Sequence, residues 1–193
     1  MSETDNINLD YRIKVIIVII LIIPIFFGFN REFIFPSNVS LVELIIIILG
    51  IIFLLIFGIL FITPFFKTQH FEKMKKHEVV KVFINKNYKP LYRSFLLSMI
   101  IDEMIFRFYI AGILIQCLEM INLIILSSII FSAYHIYIWF YLKDLRILCV
   151  YLVYAFFLGL LNALIFFHLG LIFCIVIHYG LVLTNYWKIY KQG

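Results

Sequence analysis

Charge is scarce in this chain: Asp, Glu, Lys and Arg make up 14% of its 193 residues, against 65% hydrophobic ones. Soluble domains run near about 25% and roughly 45–50%, and a globule of this length has too little interior to hide so much apolar surface. Cysteine is scarce too. Cys117, Cys149 and Cys174 are odd in number, lack C-x-x-C spacing and fall in apolar segments, so neither a disulfide framework nor a cysteine zinc site follows. With 4 Pro and 8 Gly, collagen-like and disordered readings are excluded. What is present is long apolar runs, 22 Phe and a mean hydropathy of +1.10. They imply an all-α, polytopic integral membrane helical bundle.

Cutting wherever polar or turn residues interrupt the apolar runs predicts about six transmembrane helices: Ile13–Phe29, Leu41–Phe66, Phe95–Leu118, Leu123–Leu142, Leu145–Phe167 and Leu171–Trp187. Most match the roughly 17–25 residues needed to cross a bilayer. The first is read as a retained helix, because Glu3 and Asp5 stand where a signal peptide would be basic. Pro24 is expected to kink it, and Pro36 and Pro90 to sit in connections. Ser40 and Glu43 have capping-box spacing, which makes Glu43 a helix cap rather than a reagent.

The net charge of +5 points to topology rather than to nucleic acid. With the N-terminus cytoplasmic, fourteen of the 16 Lys and Arg residues flank cytoplasmic helix ends, only Arg31 lies outside, and Arg107 falls within the third span. The whole chain, 1–193, reads as a single membrane domain. Residues 1–94 hold two N-terminal transmembrane helices and a basic cytoplasmic loop, and 95–187 form a four-helix catalytic-type core. In the loop, Lys67–Ser94, residues Phe71, Met74, Val79, Val82 and Phe83 share one helical arc. That arc fits an interfacial helix on anionic lipid; a solvated basic loop is the alternative. His70 and His77 read as loop histidines, and so does His168 at the outer end of the fifth span.

Ionisable side chains inside apolar spans cost about 2.5–3.5 kcal/mol each near a helix centre, so each needs a partner or a function. Asp102, Glu103, Arg107, His135 and His178 are such residues. At about 1.5 Å per helical residue, Asp102, His135 and His178 lie roughly 11, 11 and 14 Å from the cytoplasmic ends of three helices. They can meet in one layer. Glu103 and Arg107 are four apart with the acid first, the favourable order for a pair on one helix face. Asp102 is turned about 100° from Glu103. Glu103–Arg107 is therefore the expected brace, and Asp102 the expected reagent.

A carboxylate and a histidine at one site support general acid–base hydrolysis, and a second histidine can donate to a developing oxyanion. The same residue types could ligate zinc. No H-E-x-x-H or G-x-S-x-G motif occurs, which argues against a zincin or a serine nucleophile.

Asp102-Glu103-Met104-Ile105-Phe106-Arg107, then Phe131-Ser132-Ala133-Tyr134-His135, then His178 in a late helix resembles the CPBP family, the CAAX proteases and bacteriocin-processing enzymes also called Abi proteins. That family's motifs read E-E-x-x-x-R and F-x-x-x-H, followed by a later His four residues before an Asn or similar residue. The resemblance spans about Phe95–Trp187. It implies a metal-independent, glutamate-type intramembrane endopeptidase without cofactors, acting on a membrane-associated peptide or protein substrate near the cytoplasmic face. It casts Asp102 and His135 as the water-activating pair, Glu103 as the second acid, Arg107 as its partner and His178 as the oxyanion histidine. Two departures stand out: Asp102 replaces a Glu, and Val182 occupies the place of the Asn, with Asn185 about 10 Å further along the helix. Tyr134 or Tyr179 could donate a hydrogen bond instead. The rival readings are a non-catalytic immunity or scaffold protein that retains the fold, and a proton or ion transporter. The Ile, Lys, Asn and Phe bias suggests a prokaryotic cell membrane.

Overall fold

The computed structural model describes residues 3–35 and 39–192, with side chains described at 9–35, 39–59 and 65–192; Pro36 lies outside them. Among the described residues the fold is helical without strands. Its elements are α1 (Glu3–Phe26), α2 (Leu41–Phe65), α3 (Thr68–Met74) and α4 (Glu78–Ile84). A longer run follows: π-helix π1 (Leu91–Phe95), α5 (Leu96–Glu103), π2 (Met104–Ala111) and α6 (Gly112–Leu114). The chain then continues through α7 (Met120–Tyr134), α8 (Tyr137–Leu142), α9 (Leu145–Leu169) and α10 (Leu171–Gln192).

Four segments are long and apolar enough to cross a membrane among the described residues: Leu41–Ile59, Met120–Leu142, Leu145–Leu169 and Leu171–Gln192. The outward faces have no counterpart in a soluble protein. On α2 alone, Ile45, Ile48, Leu49, Ile52, Phe53 and Ile56 are exposed, a surface suited to lipid. The other two expected spans correspond to α1 and to the π1–α6 run. The run carries Arg93, Asp102, Glu103 and Arg107, and it buries the last three inside the bundle, away from lipid.

Local chemistry sets several boundaries. Ser40 Oγ accepts from the Glu43 N–H, and the Glu43 carboxylate accepts from the Ser40 N–H at 2.8 Å, which is the expected capping box. Pro24 sits in the last turn of α1, where Arg31 folds back to donate to the carbonyls of Ile25 and Phe26 at 2.7 and 2.5 Å. Pro90 heads the π1–α6 run, where its missing N–H costs little. Two glycines are required by geometry. At Gly159 an added Cβ would stand 3.0 Å from the Ser128 backbone, so α7 and α9 touch through a small-residue contact. Gly170, at φ +87° and against the Ile34 carbonyl, makes the tight turn from α9 into α10.

The basic loop departs from both expectations. Lys67–Ser94 contains two short helices whose apolar arc turns inward: Phe71, Met74, Val79, Val80 and Phe83 are buried with Leu142, Ile147, Tyr186 and Ile189 of the bundle. Burial of that arc against the ends of α8–α10 leaves neither a lipid-bound helix nor a solvated loop. Polar contacts fix the hairpin: Lys73 Nζ pairs with Asp144 at 2.7 Å, and Tyr141 Oη donates to the Lys76 carbonyl at 2.8 Å. His77 is not a bystander either. It caps α4 by accepting from the Val79 N–H, and its ring stacks on Tyr186 at 4.7 Å with Nε2 3.1 Å from the phenol oxygen.

Candidate active site

Asp102 and Glu103 close α5, and Arg107 follows in π2. Glu103 and Arg107 are fully buried and Asp102 nearly so. Uncompensated charge so deep is costly, so partners should be numerous. They are. Glu103 Oε1 accepts from Asn162 Nδ2 at 2.7 Å and from His178 Nδ1 at 2.6 Å. Glu103 Oε2 lies 3.4 Å from Arg107 Nε, an ion pair by distance without hydrogen-bond alignment. Arg107 in turn donates to Ser127 Oγ at 3.4 Å and lies 4.8 Å over the Phe131 ring. One carboxylate thus ties α5, α9 and α10 together, and Arg107 extends the link to α7.

His135 ends α7 at a break before α8, where a single continuous span was expected. Its Nδ1–H donates to the Phe131 carbonyl at 2.9 Å, which leaves Nε2 free to accept a proton. Asp102, His135 and His178 all line one cavity of about 480 Å³. Glu103 does not reach it and stands behind His178. Apolar side chains such as Met99, Ile138, Val150 and Leu158 make up much of the remaining wall.

The other expected participants divide. Val182 and Asn185 both line the cavity, but the Asn185 amide lies beside Gly58 of α2 rather than in the place four residues after His178. Tyr134 packs against Phe106 and lines the cavity; Tyr179 donates to the Leu91 carbonyl at 3.4 Å. His168 sits apart, 3.1 Å from Glu43. His70 is buried and accepts from the Lys67 N–H at 2.9 Å. Among the described residues no group of three His, Cys, Asp or Glu side chains is arranged to hold a metal ion.

Three contributors escaped sequence reasoning. Asn162 is an amide in the middle of the fifth apolar run, and that isolation was a usable signal. His77 and Lys14, read as loop and topology residues, both line the cavity; nothing in their spacing foretold it.

A buried acid and two histidines thus face a mostly apolar chamber within a helical bundle. The family model for type II CAAX prenyl endopeptidase Rce1-like matches residues 86–184, an interval that holds every one of Asp102, Glu103, Arg107, His135 and His178. The chain belongs to this family of membrane endopeptidases, and it is an integral membrane protein. No curated protein and no solved structure matches it.

Proposed function

We propose that this protein is an intramembrane endopeptidase that cleaves a peptide bond by water activated between Asp102 and His135. The observation that carries the reading is the convergence of Asp102, His135 and His178, from three separate helical segments, on one cavity. Water loses a proton to this pair and its oxygen attacks the scissile carbonyl. The oxyanion so formed accepts a hydrogen bond from His178 Nε2–H, and the proton passes to the leaving amine. For His178 to donate from Nε2 while Nδ1–H donates to Glu103, it acts as an imidazolium with Glu103 as counter-ion. Asp102 and Glu103 are then balanced by Arg107 and His178, with His135 neutral.

The reading includes six crossings with the N-terminus and the cavity mouth cytoplasmic, a core within residues 95–187, and a mechanism independent of metal. The family's description points to a prenylated tail as substrate, and the apolar wall suits a lipid chain. Purified protein should process an S-prenylated peptide. Asp102→Ala and His135→Ala should each lower turnover by about 10²–10⁴ with melting in detergent unchanged, and chelators should have no effect. Equal processing by wild type and Asp102→Ala, including none, would overturn the protease reading in favour of a non-catalytic membrane factor.

A further inference from the structure

The proton that water gives up to Asp102 and His135 has to reach the leaving amine, because an amide nitrogen departs only once it is protonated. A hydroxyl that faces the chamber beside the acid can carry it. Tyr134 lines the cavity together with Asp102, His135 and His178, and its ring stands edge-on to the His135 imidazole, with centroids 5.5 Å apart and planes at 83°. The ring also packs on Phe106 at 5.1 Å. Phe106 is buried and follows Asp102 by four residues, about one turn further along the same face of its helical run. Tyr134 is thus held between the acid and the histidine, and its phenol is in electrostatic contact with the Asp102 carboxylate. Other phenols near the chamber are committed: Tyr141 and Tyr179 donate to the Lys76 and Leu91 carbonyls, and Tyr186 bonds His77. Tyr137 shares the field of Asp102, but it lies beyond the break at His135, and its ring is tilted only 32° from the imidazole plane at 6.0 Å.

We propose that Tyr134 is a further catalytic residue, the relay through which the water-derived proton passes from Asp102 to the leaving amine. The inference rests on the protease reading and adds the carrier of this step. In the tetrahedral intermediate, Asp102 holds the proton taken from water. Its carboxyl O–H gives that proton to Tyr134 Oη while Tyr134 gives its own to the substrate nitrogen, so no phenolate accumulates. The C–N bond then breaks with its electron pair left on nitrogen, and the oxyanion re-forms the carbonyl. A carboxylic acid and an amine depart, with Asp102 ionised and Tyr134 neutral as at the start.

The test compares two substrates of detergent-solubilised full-length protein: an S-prenylated peptide whose cut is located by mass spectrometry of wild-type products, and the same peptide with an ester in place of that amide. An alkoxide leaves with far less help from an acid than an amine does. Tyr134→Phe keeps the ring and its packing, so it should lower kcat on the amide by about 10²-fold, within the range of general-acid contributions, with KM little changed. Ester turnover should fall by no more than about threefold, since only the leaving-group step has lost its acid. The ester also reports that the variant is folded. Tyr137→Phe should cleave both substrates as wild type does. An equal loss on amide and ester in Tyr134→Phe, no loss on the amide, or an amide-selective loss in Tyr137→Phe instead would each overturn the relay while leaving the protease reading intact. A wild-type protein that cleaves neither substrate would overturn both.

Discussion

At the scale of single residues, the site depends on a buried charge that is shared rather than paired. Glu103 faces Asn162, His178 and Arg107 at once, and removing one partner of a buried charged set costs more than the contact itself was worth. Arg107→Met should therefore destabilise the protein by about 3–5 kcal/mol, read as an earlier melt in detergent than that of His135→Ala. Asn162→Ala removes one neutral donor to a charged acceptor. Its expected cost is about 1–3 kcal/mol, together with reduced turnover, because the His178 ring loses part of the support that orients its partner. Unaltered kinetics in Asn162→Ala would mean that Glu103 positions His178 without help from α9.

Among the elements, the α3–α4 hairpin is the piece whose hold should respond to pH. Burial pushes the His77 imidazole down to about 4 from its ordinary 6.5, so the fold favours the neutral ring against Tyr186. That contribution is full above about 6.5 and is lost as the pH falls toward 4. Burial pushes the Asp144 carboxyl up, but the hydrogen bond from Lys73, the Ile147 N–H and the Lys73 charge outweigh it and leave it below 3.8. Its contribution therefore persists until the medium is more acidic still. Proteolytic nicking within residues 67–94 should rise between pH 6.5 and 4, and the rise should shrink in His77→Gln. A pH-flat nicking rate would show that the apolar face of the hairpin alone holds it. The α7–α9 contact is open to a steric test as well: Gly159→Leu has no room beside Ser128 and should cost roughly 1–3 kcal/mol as the helices part.

On the scale of the whole molecule, the proposed topology of six crossings rests on the positive-inside bias, which sets fourteen of the 16 basic residues beside helix ends of one side. In a background with Cys117, Cys149 and Cys174 replaced, single cysteines at the exposed positions Phe35 and Lys76 should label from opposite sides of the membrane. Labelling from one side would remove a crossing and invert half of the bundle.

The sequence by itself determined the membrane class, most of the helix boundaries and which intramembrane ionisable residues come together. Each of these is written in one dimension: apolar run length, the Ser40–Glu43 spacing, and ionisable residues where hydrocarbon forbids them unpaired. Even the division of Asp102 toward a cavity and Glu103 toward Arg107 was legible from helical rotation. Tertiary structure alone decided the rest. The break at His135, the inward turn of the Lys67–Ser94 arc, the Asn162 support of Glu103 and the arrival of Lys14 and His77 at the cavity wall depend on which helices pack side by side. An apolar run states how deep a residue lies and which way it faces on its own helix. It does not state which neighbour it meets, because in lipid nearly every face is apolar and the choice of partners falls to close packing at Gly159 and to the few polar groups that must find one another.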